Sequence, residues 1–283
     1  TKYNEYWGFH DGEKRNSRVK RVVEPIIILN HDWTISEVSS LETSIGYQFG
    51  EMGNSRLDYA GGANPSPAYY QDLPSYYLAD SDGPDYEGAY LAQEQFVNNG
   101  QINWNRIYDA NLTNNQSNLD AAYVLYEDRV DDRQLTINSA YSKEINENIK
   151  ISSSFNYRNL VSDNFAQISD MLGGYTYSNI DSFDNLDYNL LSPNSVISQG
   201  EKFKYHYEMN VEEISLFSMI DFSFNKLELF IAANLTNTIY QRNGIFENEA
   251  NAGNSSGMGD EISFDGYGVK AGITYKFSGK HIL

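Results

Sequence analysis

Apolar and polar side chains alternate without a break along residues 40–49. One parity holds Leu41, Thr43, Ile45, Tyr47 and Phe49, and the other holds Ser40, Glu42, Ser44, Gly46 and Gln48. Because side chains alternate across a β-strand with a period of two, this stretch predicts a strand with one apolar face. In a soluble sandwich such a face packs on a second sheet, whereas in an outer-membrane barrel it contacts lipid.

The same alternation recurs in residues 149–158, 227–235 and 269–277, and more weakly in residues 135–141 and 202–224. Each segment is about ten residues long or longer, which is the length that a tilted strand needs to cross a bilayer. The chain therefore predicts about seven crossings, with an eighth beginning at His281. We expect the seven at residues 17–33, 38–50, 121–143, 149–160, 202–223, 227–242 and 262–277.

Two kinds of connection alternate between these segments. Four are short turns, at residues 34–37, 146–148, 224–226 and 278–280, and three are long polar stretches, at residues 51–120, 161–201 and 243–261. Bacterial outer-membrane barrels have short turns at the periplasmic end and long loops at the extracellular end. We therefore predict an all-β fold, an antiparallel transmembrane arc of seven to eight strands within one barrel domain that covers residues 1–283. Seven crossings and a stub do not make a closed barrel, so we expect the first and last strands not to pair.

The aromatic side chains favour lipid rather than a protein core as the partner of the apolar faces. They lie at the ends of the segments, as in the interfacial girdles of membrane barrels, rather than at mid-strand positions. We expect Leu41, Ile45, Phe49, Ile151, Phe155, Ile231, Ala271 and Ile273 to face lipid. We expect Glu42, Gln48, Lys150, Asn156, Arg158, Glu228 and Lys270 to face the lumen.

The composition excludes several classes of function. Asp and Glu number 39 against 20 Lys and Arg, so the net charge of -19 repels nucleic acid. There is no Cys, which excludes thiolate metal sites and Cys nucleophiles. A mean hydropathy of -0.56 combined with 14% aromatic residues fits a surface that is apolar on one side only.

Several segments resemble one known family. RNSRVKRVVEPIIILNHDW (residues 15–33) resembles an early barrel strand of the TonB-dependent outer-membrane receptors of the Bacteroidetes type. FAQISDMLGGY (165–175) resembles a helical insert and turn in an extracellular loop of that family. Further similar segments are GEKFKYHYEMNV (200–211), FIAANLTNTIYQRNG (230–244) and YGVKAGITYKFSGKHIL (267–283).

That resemblance implies an arc of a barrel of about 22 strands, whose plug domain is not present in this chain. It implies a non-enzymatic protein of the bacterial outer membrane that imports a nutrient with energy supplied through TonB. The expected partners are the lipid bilayer, lipopolysaccharide and TonB, with a surface lipoprotein as a further candidate. The substrate stays open.

Two other functions remain compatible with the sequence. One is an outer-membrane barrel that acts as a scaffold or accessory subunit for a surface lipoprotein or for secretion machinery, without transport. The other is a soluble, calcium-dependent, adhesin-like β-sandwich. A plug domain upstream would favour transport, whereas detergent-free solubility would favour the sandwich.

The candidate sites are few. Asp80, Asp82 and Asp85 surround a Gly-Pro turn and could offer oxygens to Ca²⁺, but the spacing of an EF-hand is not met, which favours a solvated acidic loop. The four histidines (His10, His31, His206 and His281) are scattered. We therefore predict no catalytic residue, no cofactor and no metal site.

The basic segment near the start of the chain leads to an expectation about the lumen. Arg18 and Lys20, within a basic segment, share parity with Ile26 and Ile28, which favours the lumen over lipopolysaccharide phosphates unless Pro25 marks a bulge.

Six tyrosines crowd the first long stretch, where they fit either contacts with a ligand or partner or a small core of the loop itself. They are Tyr69, Tyr70, Tyr76, Tyr77, Tyr86 and Tyr90.

Overall fold

The first membrane-length strand is interrupted by a proline without losing its register. The computed structural model describes residues 3–79, 81, 83–278 and 281–282. After a hairpin of β1 (Trp7–His10) and β2 (Glu13–Asn16), the strand is split into β3 (Lys20–Val23) and β4 (Ile26–Ser36). Both halves pair with β5 (Ser39–Tyr59), and the same register runs through Val23↔Glu51 and Ile26↔Gln48. Pro25 therefore removes an N–H donor but inserts no extra residue.

The remaining elements alternate between long strands and the inserts of the loops. In chain order they are α1 (Pro74–Leu78), α2 (Tyr86–Asn99), α3 (Trp104–Gln116), β6 (Tyr123–Asn146), β7 (Ile149–Asp170), β8 (Tyr177–Ser178), β9 (Val196–Ile197), β10 (Lys202–Phe224), β11 (Leu227–Gly244), β12 (Gly257–Met258), β13 (Ile262–Ser278) and β14 (His281–Ile282). Short 3₁₀ turns lie at Tyr70–Asp72 and Glu249–Asn251. No helix of the described residues is long and apolar enough to span a bilayer.

One antiparallel sheet contains all the predicted crossings. Its strand order is β14, β13, β11, β10, β7, β6 and β5, followed by the two halves β3 and β4, so that each strand lies beside its neighbour in sequence. The seven predicted strands and the all-β antiparallel fold are therefore confirmed. The long stretches lie at one end of the sheet and the short turns at the other, although residues 279 and 280 of the fourth turn lie outside the described residues. Within those residues, β3 and β4 do not pair with β13, so the sheet is an open arc.

The boundaries of the long stretches were predicted wrongly. β5 continues to Tyr59 and β7 to Asp170, so the first two loops cover residues 60–122 and 171–201 rather than 51–120 and 161–201. The helical insert expected near residues 165–172 is also wrong, because Phe165 lies in β7 and pairs with Arg129 and His206. The reason is that the backbone hydrogen bonds between strands continue beyond the point where apolar and polar side chains stop alternating. Charged side chains occupy those parts of the strands.

Two hydrophobic clusters lie at the loop end of the sheet. The first contains Val124, Tyr126, Ile168 and Phe203 and is covered by the second loop through Tyr177 and Ile197. The second contains Trp104 and Ile107 of α3, packed against Tyr123 and Leu172. The strand register places these two clusters on opposite sides of the sheet. Both loops are therefore anchored to the upper strands rather than to the middle of the sheet.

Candidate functional site

The apolar side chains of successive strands meet on one face of the sheet. Ile45 pairs with Ile137, Phe155 with Leu216, and Ile220 with Ile231, which pairs in turn with Ala271. This face is open: Ile231 is 53% exposed and Ile273 71% exposed. The eight residues expected to face lipid therefore share one face, and the seven expected to face a lumen share the other. The apolar face does not pack on a second sheet, as a soluble sandwich would require.

The opposite face carries a row of polar side chains across five strands. Ser44 donates a hydrogen bond to Asn30 over 2.8 Å, Asn138 donates to Asn156, and Asn156 donates to Ser215 over 3.3 Å. Beside this row the guanidinium of Arg158 pairs with Glu213 at 3.1 Å. Such a face has hydrogen-bonding groups for water and for polar solutes, as expected of the interior wall of a transport barrel.

A network of charges continues the apolar face toward the loop end. Its centre is Arg129, whose side chain is 9% exposed and contacts Glu51, Asp131 at 2.9 Å and Gln167 at 3.1 Å. Arg21 pairs with the same Glu51. Each of these charges has a partner of opposite sign, so Arg21 and Arg129 link neighbouring strands and neither is free to bind an anionic ligand.

The network extends around a buried aromatic ring. Phe165 is 3% exposed, with the ammonium of Lys202 at 3.7 Å and the guanidinium of Arg129 at 5.5 Å from its ring centre. Lys202 also pairs with Asp163 at 3.0 Å, and His206 contacts the same carboxylate at 2.8 Å. This arrangement explains why residues near Phe165 remain in a strand.

The basic segment at residues 13–21 is occupied by protein contacts. Arg15 pairs with Asp170 at 2.5 Å, and Arg18, which lies outside the strands, stacks on Tyr6 at 4.8 Å. Lys20 pairs in register with Asn54, on the side of the sheet that carries Gln48, as predicted. Lys20 therefore lies on the face that was predicted to line the lumen. Arg18 lies outside the strands, so strand parity assigns it to neither face.

Among the described residues, Asp85 and the histidines form no cluster. Asp80 and Asp82 lie outside the described residues, whereas Asp85 caps α2 by accepting a hydrogen bond from the Gly88 amide at 2.9 Å. His10 stacks on Tyr108, with ring centres 4.1 Å apart, His31 is exposed in β4, and the side chain of His281 lies outside the described residues. Within the part of the chain that the structure describes, no three His, Cys, Asp or Glu side chains are grouped to hold a metal ion.

The second and third loops are fastened to each other. The Asp187 amide donates to the Glu249 carboxylate at 2.7 Å, and the Glu249 amide donates back to the Asp187 carbonyl at 3.0 Å. Within the second loop, burial alone raises the pKa of Asp181, but hydrogen bonds from the Phe183 amide and the Tyr188 hydroxyl outweigh it and hold that pKa below its ordinary value. The two loops therefore form one ordered unit above the sheet.

One buried amide joins the first loop to the strands through five hydrogen bonds. Asn111 of α3 is fully buried; its Nδ2 donates to the carbonyls of Tyr123, Met171 and Leu172 at 2.8, 3.0 and 3.1 Å. Its Oδ1 accepts from the amides of Ala122 and Tyr123 at 2.8 and 3.0 Å. One side chain thus ties α3 to the start of β6 and to the segment after β7.

The tyrosines of the first loop contact one another, and several are also exposed. Tyr69, Tyr70, Tyr76 and Tyr77 form a chain of edge-to-face rings with centres 4.9–5.9 Å apart. Several rings are also open to solvent, and Tyr86 on α2 is 74% exposed.

A large cavity opens beside this aromatic chain. It has a volume of about 970 Å³ and lies between α2, residues 64–72 and the start of α3. Phe96, Ile107 and Tyr123 contribute apolar wall, and the charged residues Asp72 and Arg106 also line it. Sequence reasoning missed this site. The available signal was the isolation of Arg106, since residues 57–105 contain seven Asp and Glu and no Lys or Arg.

Comparison with known proteins gives a weak likeness in structure alone. No protein-family model and no curated protein matches the chain. The ferric-catecholate import receptor Fiu from E. coli K12 is similar in its closed form, with 10% identity over 93% of this chain and 32% of the receptor chain, at a TM-score of 0.46. Its open form gives 10% identity, 93% and 34% coverage and a TM-score of 0.47. The chain spans about a third of that receptor's length.

Proposed function

We propose that this chain is part of the barrel of a TonB-dependent outer-membrane importer in a bacterium. The observation that carries the proposal is the open sheet of long antiparallel strands, with one exposed apolar face and one hydrogen-bonded polar face. In hydrocarbon each unpaired backbone group costs several kcal/mol, so further strands must complete the barrel. A larger barrel has room for a plug, which an energised importer needs and a small barrel lacks.

The apolar face would contact lipid, and the girdle of Tyr47 and Phe49 would lie near the headgroups. The chain offers little for lipopolysaccharide phosphates in its basic segment, since Arg15 and Arg21 already pair with carboxylates. Lipopolysaccharide would therefore surround the barrel without binding to a dedicated basic site in this segment. TonB would act through parts of the protein other than these strands.

Single-cysteine labelling tests transport against the scaffold alternative. The chain has no Cys, and Ser154 lies on the polar face of β7, so Ser154→Cys introduces one nearly isosteric label site in the lumen. We expect an aqueous maleimide added to cells to label this position severalfold faster when TonB is present and energised, because plug movement opens the lumen.

The matched control is Tyr175→Cys in the second loop, where the native side chain is 77% exposed. Its labelling should not depend on TonB. Equal labelling of Ser154→Cys with and without TonB would contradict energised transport and would favour the scaffold.

A further inference from the structure

The cavity beside α2 has the size and wall chemistry of a ligand site. Pockets that bind small ligands range over about 300–1,000 Å³ and combine apolar walls with a few polar groups. This cavity, at about 970 Å³, lies at the upper end of that range. Its apolar wall belongs to a buried cluster that includes the fully buried Trp104, so the wall is held by the packing of α3 on the sheet.

Its charged residues are placed for a ligand with both signs of charge. Asp72 and Arg106 both line the cavity, yet within the described residues they form no ion pair with each other or with any other side chain. Both are exposed. A guanidinium binds a carboxylate through parallel hydrogen bonds, and a carboxylate attracts an ammonium group.

Amide side chains supply the remaining polar lining. Asn64, Gln95 and Asn103 are among the lining residues. Their side-chain carbonyls already accept hydrogen bonds, Asn103 from the Arg106 amide, Gln95 from Asn99 and Asn64 from the Ser66 amide, so they offer mainly N–H donors, which match the carbonyls of a peptide. A neutral oligosaccharide would also use the amides and the aromatic rings, but it would gain no charge-assisted hydrogen bond from Asp72 or Arg106, so the lining favours a peptide.

We propose that this cavity binds a short stretch of peptide that carries both a carboxylate and an ammonium group, with the carboxylate at Arg106 and the ammonium at Asp72. The site is independent of the proposed transport function, because its residues belong to the first loop and not to the polar face of the strands.

The test measures binding to the purified full-length protein in detergent by equilibrium dialysis with mass-spectrometric readout. The probes are a library of hexapeptides with free termini, the same library with acetylated and amidated termini, and neutral oligosaccharides of similar mass. We expect retention of the free-termini library and at least about tenfold weaker retention of the blocked one, since about 1.4 kcal/mol per tenfold is within the value of one charged hydrogen bond. Equal retention of both libraries would show that the protein binds internal peptide segments and does not recognise the terminal charges. That result would overturn the assignment of the carboxylate to Arg106 and of the ammonium to Asp72.

Two variants of the wall and one control complete the test. Arg106→Gln should weaken binding about tenfold, and Gln95→Trp, at an exposed position on the wall, should weaken it further by narrowing the cavity. Lys150→Gln removes an exposed cation from the far end of β7 and should change nothing. Retention of oligosaccharides without peptides, retention of neither, or binding that survives both wall variants would overturn the proposal.

Discussion

Replacing Ile231 with Lys should destabilise the membrane-inserted protein by about 2–4 kcal/mol, the cost of a cation near the midplane on the lipid face of a barrel. Ile231 lies near the middle of the apolar run of β11, between Ile220 and Ala271, and is 53% exposed. In water this exposed position would tolerate Lys with little change, so the expected cost arises from lipid alone. The measurement is the urea midpoint of the full-length protein refolded in lipid vesicles.

Asn234→Lys is the matched control on the same strand. Asn234 has the opposite parity, on the polar face, where water would hydrate the new ammonium group. Its midpoint should stay close to that of the unmodified protein. Equal costs for the two variants would contradict the assignment of the faces.

Replacing Asn111 with Asp should release the first loop from the sheet. The substitution preserves shape but removes the amide donor, so a carboxylate would face the carbonyls of Tyr123, Met171 and Leu172. Each buried polar group left without a partner costs about 1–3 kcal/mol, and a buried unpaired charge costs more. Hydrogen exchange of the backbone amides of α3 should rise by orders of magnitude, while that of β10 should not change.

Asn115→Ala supplies the comparison for that variant. The Asn115 side chain donates a single hydrogen bond, to the Gly173 carbonyl at 2.7 Å, so its loss should have only a small effect on the exchange of α3. Unchanged exchange in Asn111→Asp would show that hydrophobic packing around Trp104 holds the loop without the amide.

The alternation of side chains predicted six of the long strands and their faces, because a period of two determines which residues share a face. It did not predict the hairpin of β1 and β2 or the split between β3 and β4. It failed where the alternation ends. The missed parts are the ends of β5 and β7. Glu51 and Asp163 carry no apolar signal there, yet the strands continue through them, and each pairs with a cation of the neighbouring strand, Arg129 and Lys202. The helix expected near Phe165 failed for the same reason.

The loop cavity was beyond sequence reasoning for a different reason. Asp72 and Arg106 are 34 positions apart in the chain, and only the folding of the first loop brings both to one cavity. Asp85 shows the converse, since an acidic turn that could have indicated a cation site supplies a helix cap instead. Side chains in long loops are placed by tertiary packing, which leaves no periodic signal.

The most direct test of the central claim is a scan of β11 with single nitroxide labels in the full-length protein reconstituted in lipid. Labels at Ile231, Ala233 and Leu235 probe one face, and labels at Asn234 and Thr236 probe the other. If the apolar face contacts lipid, oxygen collides frequently with the first three labels and an aqueous nickel chelate does not, with the preference alternating at a period of two. Access of the nickel chelate to Ile231, Ala233 and Leu235, or exclusion of both reagents from them, would contradict the membrane assignment.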